Sequence, residues 1–339
     1  MRMRIFAVLV LSLAVAVSAC SKSPDPSEVI TLSYSIFFPA THEQCIAGMN
    51  WAKEIEKKTD GKVKINVYPG GTLTKADETY NGVSAGIADI GMSCFAYTRG
   101  RFPIMEAVDL PLGYPDGKTA TAAANEFFKA MKPKELDDVK VLYLHAHGPG
   151  LLHTKKPVKK LEDLKGMKIR STGLSAKVVS ALGGVPVAMP QGATYESLQK
   201  GVVDGTFAPI ETLKGWKQGE VIKHTTNSRT IGYTTGMYVI MNKAKWDKLP
   251  DAVKAVFTDV SDRWVKVHGE TWDRVDSDGV AFTKNLGNGI IELDAAEGAR
   301  WSAAVKPVID GYIAEMKKKN LPGDKAIAEL RRLIAQSGK

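Results

Sequence analysis

The stretch Lys165-Gly166-Met167-Lys168-Ile169-Arg170-Ser171-Thr172-Gly173 reads as a short buried strand that ends by presenting an arginine to a loop. Met167 and Ile169 share one face of a period-two pattern, and Lys168 and Arg170 share the other. Ser171-Thr172-Gly173 then turns into a helical run from Leu174. Ligands of open α/β sheets sit at such carboxyl ends. A guanidinium is always charged and offers its donors as a planar fork, so a partly desolvated Arg170 suits a carboxylate or sulfonate better than a lysine would. On these nine residues alone, an arginine held in a surface ion pair is the simpler account.

Outward from this stretch, strands alternate with helices. Towards the C-terminus the pattern predicts a helix over 174–182, a strand over 185–189, a helix over 194–200 and a strand over 202–208. The apolar run 230–241 reads as a strand returning to the first half of the chain. Asn242 is placed to cap the next helix, and Pro250 opens another that reaches about Asn285, long enough to lie across two domains. A strand near 290–293 and helices after Asp294 and Pro322 close the chain. Towards the N-terminus, strands over 30–35, 63–67 and 88–93 alternate with helices, the first opened by a Thr41/Gln44 capping box and stopped by Asp60-Gly61. This β-α-β-α-β succession implies parallel pairing with right-handed crossovers. A helix over 119–131 and a strand over 139–145 extend it, and His147-Gly148-Pro149-Gly150 marks a first crossing between domains.

Ahead of these elements, Arg2 and Arg4 precede an apolar run from Ile5 to Val17, ended by Ser18-Ala19-Cys20. The run is too short to span a bilayer and small residues precede the break, so residues 1–19 read as a secretory signal peptide. A cysteine directly after Val-Ser-Ala resembles the lipobox of bacterial lipoproteins. That resemblance implies lipidation of Cys20, a lipidated tether over 20–28 and a periplasmic protein anchored to a membrane; the alternative is a plain signal with an incidental cysteine. Loss of the leader removes two arginines and lowers the formal charge from +9 to +7. The chain is 44% hydrophobic and 24% charged, as exported globular proteins are, and its 339 residues favour two domains over one. A pI near 9.2 admits nucleic acid, an anionic surface or acidic ligands. No basic run interleaves with aromatics, which argues against nucleic acid and leaves the steering of a small anion or plain solubility. Cys45 and Cys94 either pair after export or stay as buried thiols, and no cysteine spacing suggests a metal site.

Three segments, taken in order, carry a resemblance. Leu161-Glu162-Asp163-Leu164-Lys165-Gly166-Met167-Lys168-Ile169-Arg170, then Tyr195-Glu196-Ser197-Leu198-Gln199-Lys200-Gly201-Val202-Val203-Asp204-Gly205, then Tyr238-Val239-Ile240-Met241-Asn242-Lys243-Ala244-Lys245-Trp246-Asp247-Lys248-Leu249-Pro250 resemble consecutive signatures of the solute-binding proteins of tripartite ATP-independent periplasmic (TRAP) transporters, the DctP family. The resemblance covers most of the chain beyond the leader. It implies an α/β, two-lobed periplasmic-binding-protein (Venus-flytrap) clamp with a long helix bridging both lobes, and it makes Arg170 the arginine that binds the ligand's acidic group. On this basis residues 29–147 with about 240–275 form lobe I, and 148–239 with about 276–339 form lobe II. In the sialic-acid branch of the family a second binding arginine falls near Gly150 of this chain and a binding asparagine at Ala208, so sialic acid does not fit. One matched arginine suggests one anionic head group, and a dicarboxylate would need a second cation such as Arg99, Arg101 or Lys214.

Phe37, Phe38, Tyr97, Phe207, Trp216 and Tyr233 fall near expected strand ends or loops. Any one of them is more often core than pocket; together they favour a ligand with an apolar or planar part, or a small acid enclosed dry. Gln191 and Glu211 are placed to read a hydroxyl, oxo or amino group, or are ordinary helix-flanking polar residues. The expected ligand-binding set is therefore Arg170, Gln191, Phe207, Glu211, Trp216, Tyr233, Tyr97 and Phe38. The expected solute is a monocarboxylate such as a 2-oxo or 2-hydroxy acid with an aromatic or apolar tail, with a small sulfonate such as isethionate, a C4-dicarboxylate or an amino acid as alternatives. An exported enzyme is the competing class. His145 and His147 alternate on a strand face without a third ligand nearby, His42-Glu43 lacks the second histidine of a zinc-protease helix because Ile46 holds that place, and neither a Gly-x-Ser-x-Gly elbow nor a phosphate-cradling loop occurs. The expectation is thus a monomeric binder, not an enzyme, without cofactor or metal. As the resemblance implies, it passes its solute to integral membrane TRAP permease subunits by closure of its lobes.

Overall fold

Short apolar runs with β-branched residues build the strands, and the computed structural model, which describes residues 29–337, contains eleven of them. In chain order these are β1 (Ile30–Ile36), β2 (Val63–Tyr68), β3 (Ile90–Cys94), β4 (Val139–Ala146), β5 (Leu151–Thr154), β6 (Lys168–Ser171), β7 (Val185–Ala188), β8 (Gly205–Ala208), β9 (His224–Asn227), β10 (Gly236–Asn242) and β11 (Gly289–Glu292). The helices are α1 (Glu43–Lys58), α2 (Thr79–Ser84), α3 (Gly117–Met131), α4 (Ser175–Ala181), α5 (Thr194–Gln199), α6 (Thr212–Gly215), α7 (Lys243–Lys248), α8 (Asp251–Asn285), α9 (Ala295–Lys318) and α10 (Gly323–Ser337). The expected signal peptide, Cys20 and the expected 20–28 tether lie outside the described residues.

Two sheets result, one per lobe. The first has the order β2-β1-β3-β10-β4, with β1 parallel to β2 and β3, and β10 antiparallel between β3 and β4. The second has the order β11-β9-β5-β8-β6-β7, with β6 parallel to both β7 and β8. Strands β5 and β9 escape the sequence reading. All four residues of β5 are buried, which erases the alternation, and β9 is His-Thr-Thr-Asn, polar and short. They hold central places because their polar side chains find partners inside: His153 Nδ1 lies 2.9 Å from Thr225 Oγ1, and its Nε2 lies 3.1 Å from the Ala208 carbonyl.

Other boundaries shift for physical reasons. The return strand begins at Gly236 rather than 230, since residues before it turn inward, Ile231 and Tyr233 being buried. Helix α1 is capped by His42, whose Nδ1 accepts the Gln44 N–H at 3.2 Å, in place of the expected Thr41/Gln44 box. Asn242 does cap α7, accepting the Lys245 N–H at 3.0 Å.

Helix α8 has 35 residues and is therefore about 50 Å long. Its buried residues recur at helical spacing, Phe257, Val260, Ser261, His268, Trp272, Val275, Asp276 and Gly279 among them. It packs on α1, α3 and β4 of the first lobe and on α6 and β11 of the second, so one rigid rod spans both. Gly279 permits the second of these contacts: a Cβ there would stand 2.6 Å from the Ile210 carbonyl oxygen. Helix α9 lies against α4, while α10 lies against α3, on the side of the first sheet, although the sequence reading grouped 276–339 with lobe II. Among the described residues no helix is long and apolar enough to cross a membrane.

Candidate functional site

Arg170 is the penultimate residue of β6, held in register with Val187 of β7 and Thr206 of β8. Its neighbour Ile169 is wholly buried in the core, and Arg170 itself is only 4% exposed, which removes the surface ion pair as an account of it. Its Nε donates to the Met189 carbonyl at 3.1 Å, which fixes the plane of the fork. Among the described residues no carboxylate comes within 4.0 Å of the guanidinium, and no protein acceptor takes a hydrogen bond from its terminal nitrogens. A buried cation left without a counter-ion is costly, and an anionic ligand would relieve that cost.

The fork faces a cavity between the lobes. All eight residues of the expected set lie on its walls. Phe37 and Phe38 leave the end of β1 and contribute one aromatic face, Phe37 lying nearly parallel to Trp216 at 6.1 Å and edge-on to Tyr97 at 5.7 Å. Phe207 of β8 stacks on Tyr233 at 4.4 Å with 22° between planes, a second aromatic pair on the walls. Both lobes therefore supply aromatic wall.

Two hydrogen bonds cross from lobe to lobe beside this cavity. The Gln191 N–H donates to the Tyr97 hydroxyl oxygen at 3.1 Å. His42 Nε2 lies 2.9 Å from Glu211 Oε2, with both side chains buried. Glu211 also borders Asp276 of α8, which accepts the Glu211 N–H at 3.2 Å; burial and then the charge of Glu211 push the Asp276 carboxyl up to about 7. The Gln191 side-chain nitrogen is buried among the walls without a protein partner. Donors of this kind in a dry pocket fix the orientation of a ligand.

The sequence reading did not name several wall residues: His42 behind Glu211, and Thr172, His147, Thr235, Met237 and Trp272 on the cavity itself. Trp272 was detectable, because it falls on the buried stripe of α8 with His268 and Asp276. Burial pushes His147 down to about 4, so its ring is neutral. His145 is not beside it as a metal pair. Its Nδ1 accepts from Trp272 Nε1 at 3.1 Å and its ring stacks on His268 at 4.6 Å. No group of three or more His, Cys, Asp or Glu among the described residues is arranged to hold a metal ion. Cys45 and Cys94 are both buried free thiols, and burial raises both thiol pKa values, that of Cys45 to about 11.

The candidate second cations separate. Arg101 pairs with Asp138 at 2.6 Å and lies over the Tyr80 ring, and Lys214 pairs with Asp278 at 2.8 Å. Neither is a wall residue. Arg99 is exposed and lines a separate cleft that shares Tyr97 and Thr172 with the cavity.

Residues 34–316 match the family model of the bacterial extracellular solute-binding proteins, family 7, known as DctP. The chain belongs to this family. A marine metagenome TRAP solute-binding protein specific for aromatic acid ligands, solved with 3-hydroxybenzoate, is 30% identical with a TM-score of 0.87, over 92% of this chain and 100% of that one. A TRAP solute-binding protein from Rhodoferax ferrireducens, solved with copurified benzoate, is 27% identical with a TM-score of 0.86, over 91% and 98%. The C4-dicarboxylate-binding periplasmic protein DctP of Rhodobacter capsulatus is 29% identical over 88% of this chain and 90% of its own. This DctP protein is thus a TRAP solute-binding protein with the two-lobed α/β fold, of a kind that holds small organic acids.

Proposed function

We propose that this protein is the extracytoplasmic binding subunit of a TRAP transporter, that it captures a monocarboxylate bearing an aromatic or other planar body, and that it hands this solute to integral membrane permease subunits. The observation that carries the reading is Arg170: a buried guanidinium with its terminal donors unmatched by the protein, set in a cavity to which both lobes contribute aromatic rings. The carboxylate takes the fork in bidentate fashion. The ring lies between the Phe37–Trp216 side and the Phe207–Tyr233 side, and Glu211 or Gln191 reads a hydroxyl, oxo or amino substituent. A C4-dicarboxylate is disfavoured because Arg101 and Lys214 are engaged elsewhere and Arg99 stands outside the cavity. Cys20 is placed to carry a lipid that keeps the monomer at the membrane. The solved relatives that hold benzoate and 3-hydroxybenzoate support the aromatic choice.

The test is calorimetric titration of the soluble protein, beginning after Cys20, with aromatic monocarboxylates, 2-hydroxy and 2-oxo acids, isethionate, C4-dicarboxylates and amino acids. Binding is expected for the aromatic monocarboxylates, and Arg170→Ala is expected to weaken it roughly a hundredfold or more while the fold persists, since truncation leaves a desolvated anion unpaired. Unchanged affinity in Arg170→Ala would overturn the reading.

A further inference from the structure

We infer that Gly150 and Tyr233 are a matched pair that sets the planarity of the acid this cavity accepts; the inference rests on the proposed capture of a ring-bearing monocarboxylate. Tyr233 is a wall residue, 1% exposed, and its ring stacks on Phe207, so its position sets this aromatic pair. Gly150 is not on the wall. It sits immediately before β5, and its N–H donates to the Tyr233 carbonyl at 3.0 Å, so the two backbones are pinned to each other. The phenol then folds back over Gly150. A Cβ at position 150 would lie 2.6 Å from the Tyr233 hydroxyl oxygen and closer still to ring carbons Cε1 and Cζ, distances that real atoms do not adopt.

The conflict is one of space and not of backbone conformation, because Gly150 is not among the residues with positive φ. Any side chain at 150 must therefore displace the far end of the Tyr233 ring. The pinned backbone cannot retreat, and His147 meets that ring edge-on at 5.7 Å on another side. The displaced ring has to leave its stack on Phe207, and the paired aromatic wall is lost. Gly150 is thus a positioning residue that acts on the ligand through Tyr233. The same geometry forbids a long side chain at 150 for as long as Tyr233 occupies its place.

A double-mutant cycle tests this. Gly150→Ala, Tyr233→Leu and the double variant are titrated with benzoate and with cyclohexanecarboxylate, which present the same carboxylate to Arg170 and differ in the flatness of the ring. Leucine keeps apolar bulk and lacks the three atoms in conflict. Gly150→Ala is expected to lower benzoate affinity at least about tenfold and to shrink the benzoate preference, Tyr233→Leu to do the same, and the double variant to be no worse than Tyr233→Leu. Wild-type benzoate binding in Gly150→Ala, or independent, multiplicative losses in the double variant, would overturn the pairing. Failure of Gly150→Ala to fold, with folding regained in the double variant, supports it. If the wild-type protein bound neither acid, the functional reading would fail, and melting temperature would still judge the pair. Gly150→Ala should then lower it in the wild-type background and leave it unchanged in Tyr233→Leu, and equal lowering in both would sink the pair.

Discussion

At the scale of single residues, the site is organised by the difference between charge and shape. Arg170 is a cation in a dry place, and its Nε is already committed to the Met189 carbonyl, which leaves the two terminal nitrogens aligned as a fork. A lysine would keep the charge and lose the fork. Arg170→Lys is therefore expected to fold with an apo melting temperature close to wild type and to bind the preferred acid roughly ten- to a hundredfold more weakly, measured by titration. Equal affinity in the lysine variant would mean that the site reads charge alone. The arginine was legible in the sequence because period-two patterning and a following turn placed it at a strand end, and the other seven residues of the expected set were legible as aromatics and polars beside such ends. His42 was not. It acts as a helix cap with one nitrogen and meets Glu211 with the other, a role that depends on a contact 169 positions away.

At the scale of elements, long periodic segments announced themselves and short buried ones did not. Helix α8 was visible from Pro250 to Asn285 because its apolar stripe persists over many turns. Strands β5 and β9 were invisible because four buried residues carry no period, and because threonine and histidine count as polar until their partners across the sheet are known. Helix α8 also carries a titratable group into the junction of the lobes. Asp276 has its carboxyl pushed up to about 7, first by burial, then by Glu211, with Asp273 adding and Arg229 opposing. An acid whose folded pKa exceeds its unfolded value favours the fold most below the unfolded pKa, and this contribution is lost as pH rises through the folded value. Stability should accordingly fall between about pH 4 and pH 7, with Asp276 as one contributor. Asp109 and Glu135 are shifted in the same direction, so the slope of the wild type alone does not isolate Asp276. The difference does: Asp276→Asn keeps an oxygen for the Glu211 N–H, and its melting temperature relative to wild type should rise from pH 5 to about pH 7 and level off above it. A constant difference across that range would show that Asp276 does not titrate there.

At the scale of the whole molecule, two lobes share one rod and meet around one cavity, and the hydrogen bonds Gln191–Tyr97 and His42–Glu211 join them on the cavity's rim. A ligand held by both lobes favours this closed arrangement only by the contacts it adds to both, which Arg170 on one side and Phe37 and Phe38 on the other provide. Entry is a separate matter from retention. The chain carries +9 overall and about +7 without the expected leader, and a cleft that shares Tyr97 and Thr172 with the cavity holds Arg99, exposed and outside the set of wall residues. A charge in that place acts on an approaching anion through solvent, over roughly a Debye length of about 10 Å at 0.1 M salt, and loses its hold once the anion is enclosed. It should then govern the rate of arrival and leave departure alone. Reversing it in Arg99→Glu is expected to slow association severalfold at low ionic strength, to leave dissociation within about twofold of wild type, and to lose its effect near 0.5 M salt. Stopped-flow fluorescence can follow this directly, because Trp216 and Trp272 both face the cavity. If the charge reversal instead speeds dissociation and that change survives high salt, Arg99 touches the bound ligand. The cavity would then offer two cations, and a C4-dicarboxylate would displace the aromatic monocarboxylate as the solute this clamp was built to close on.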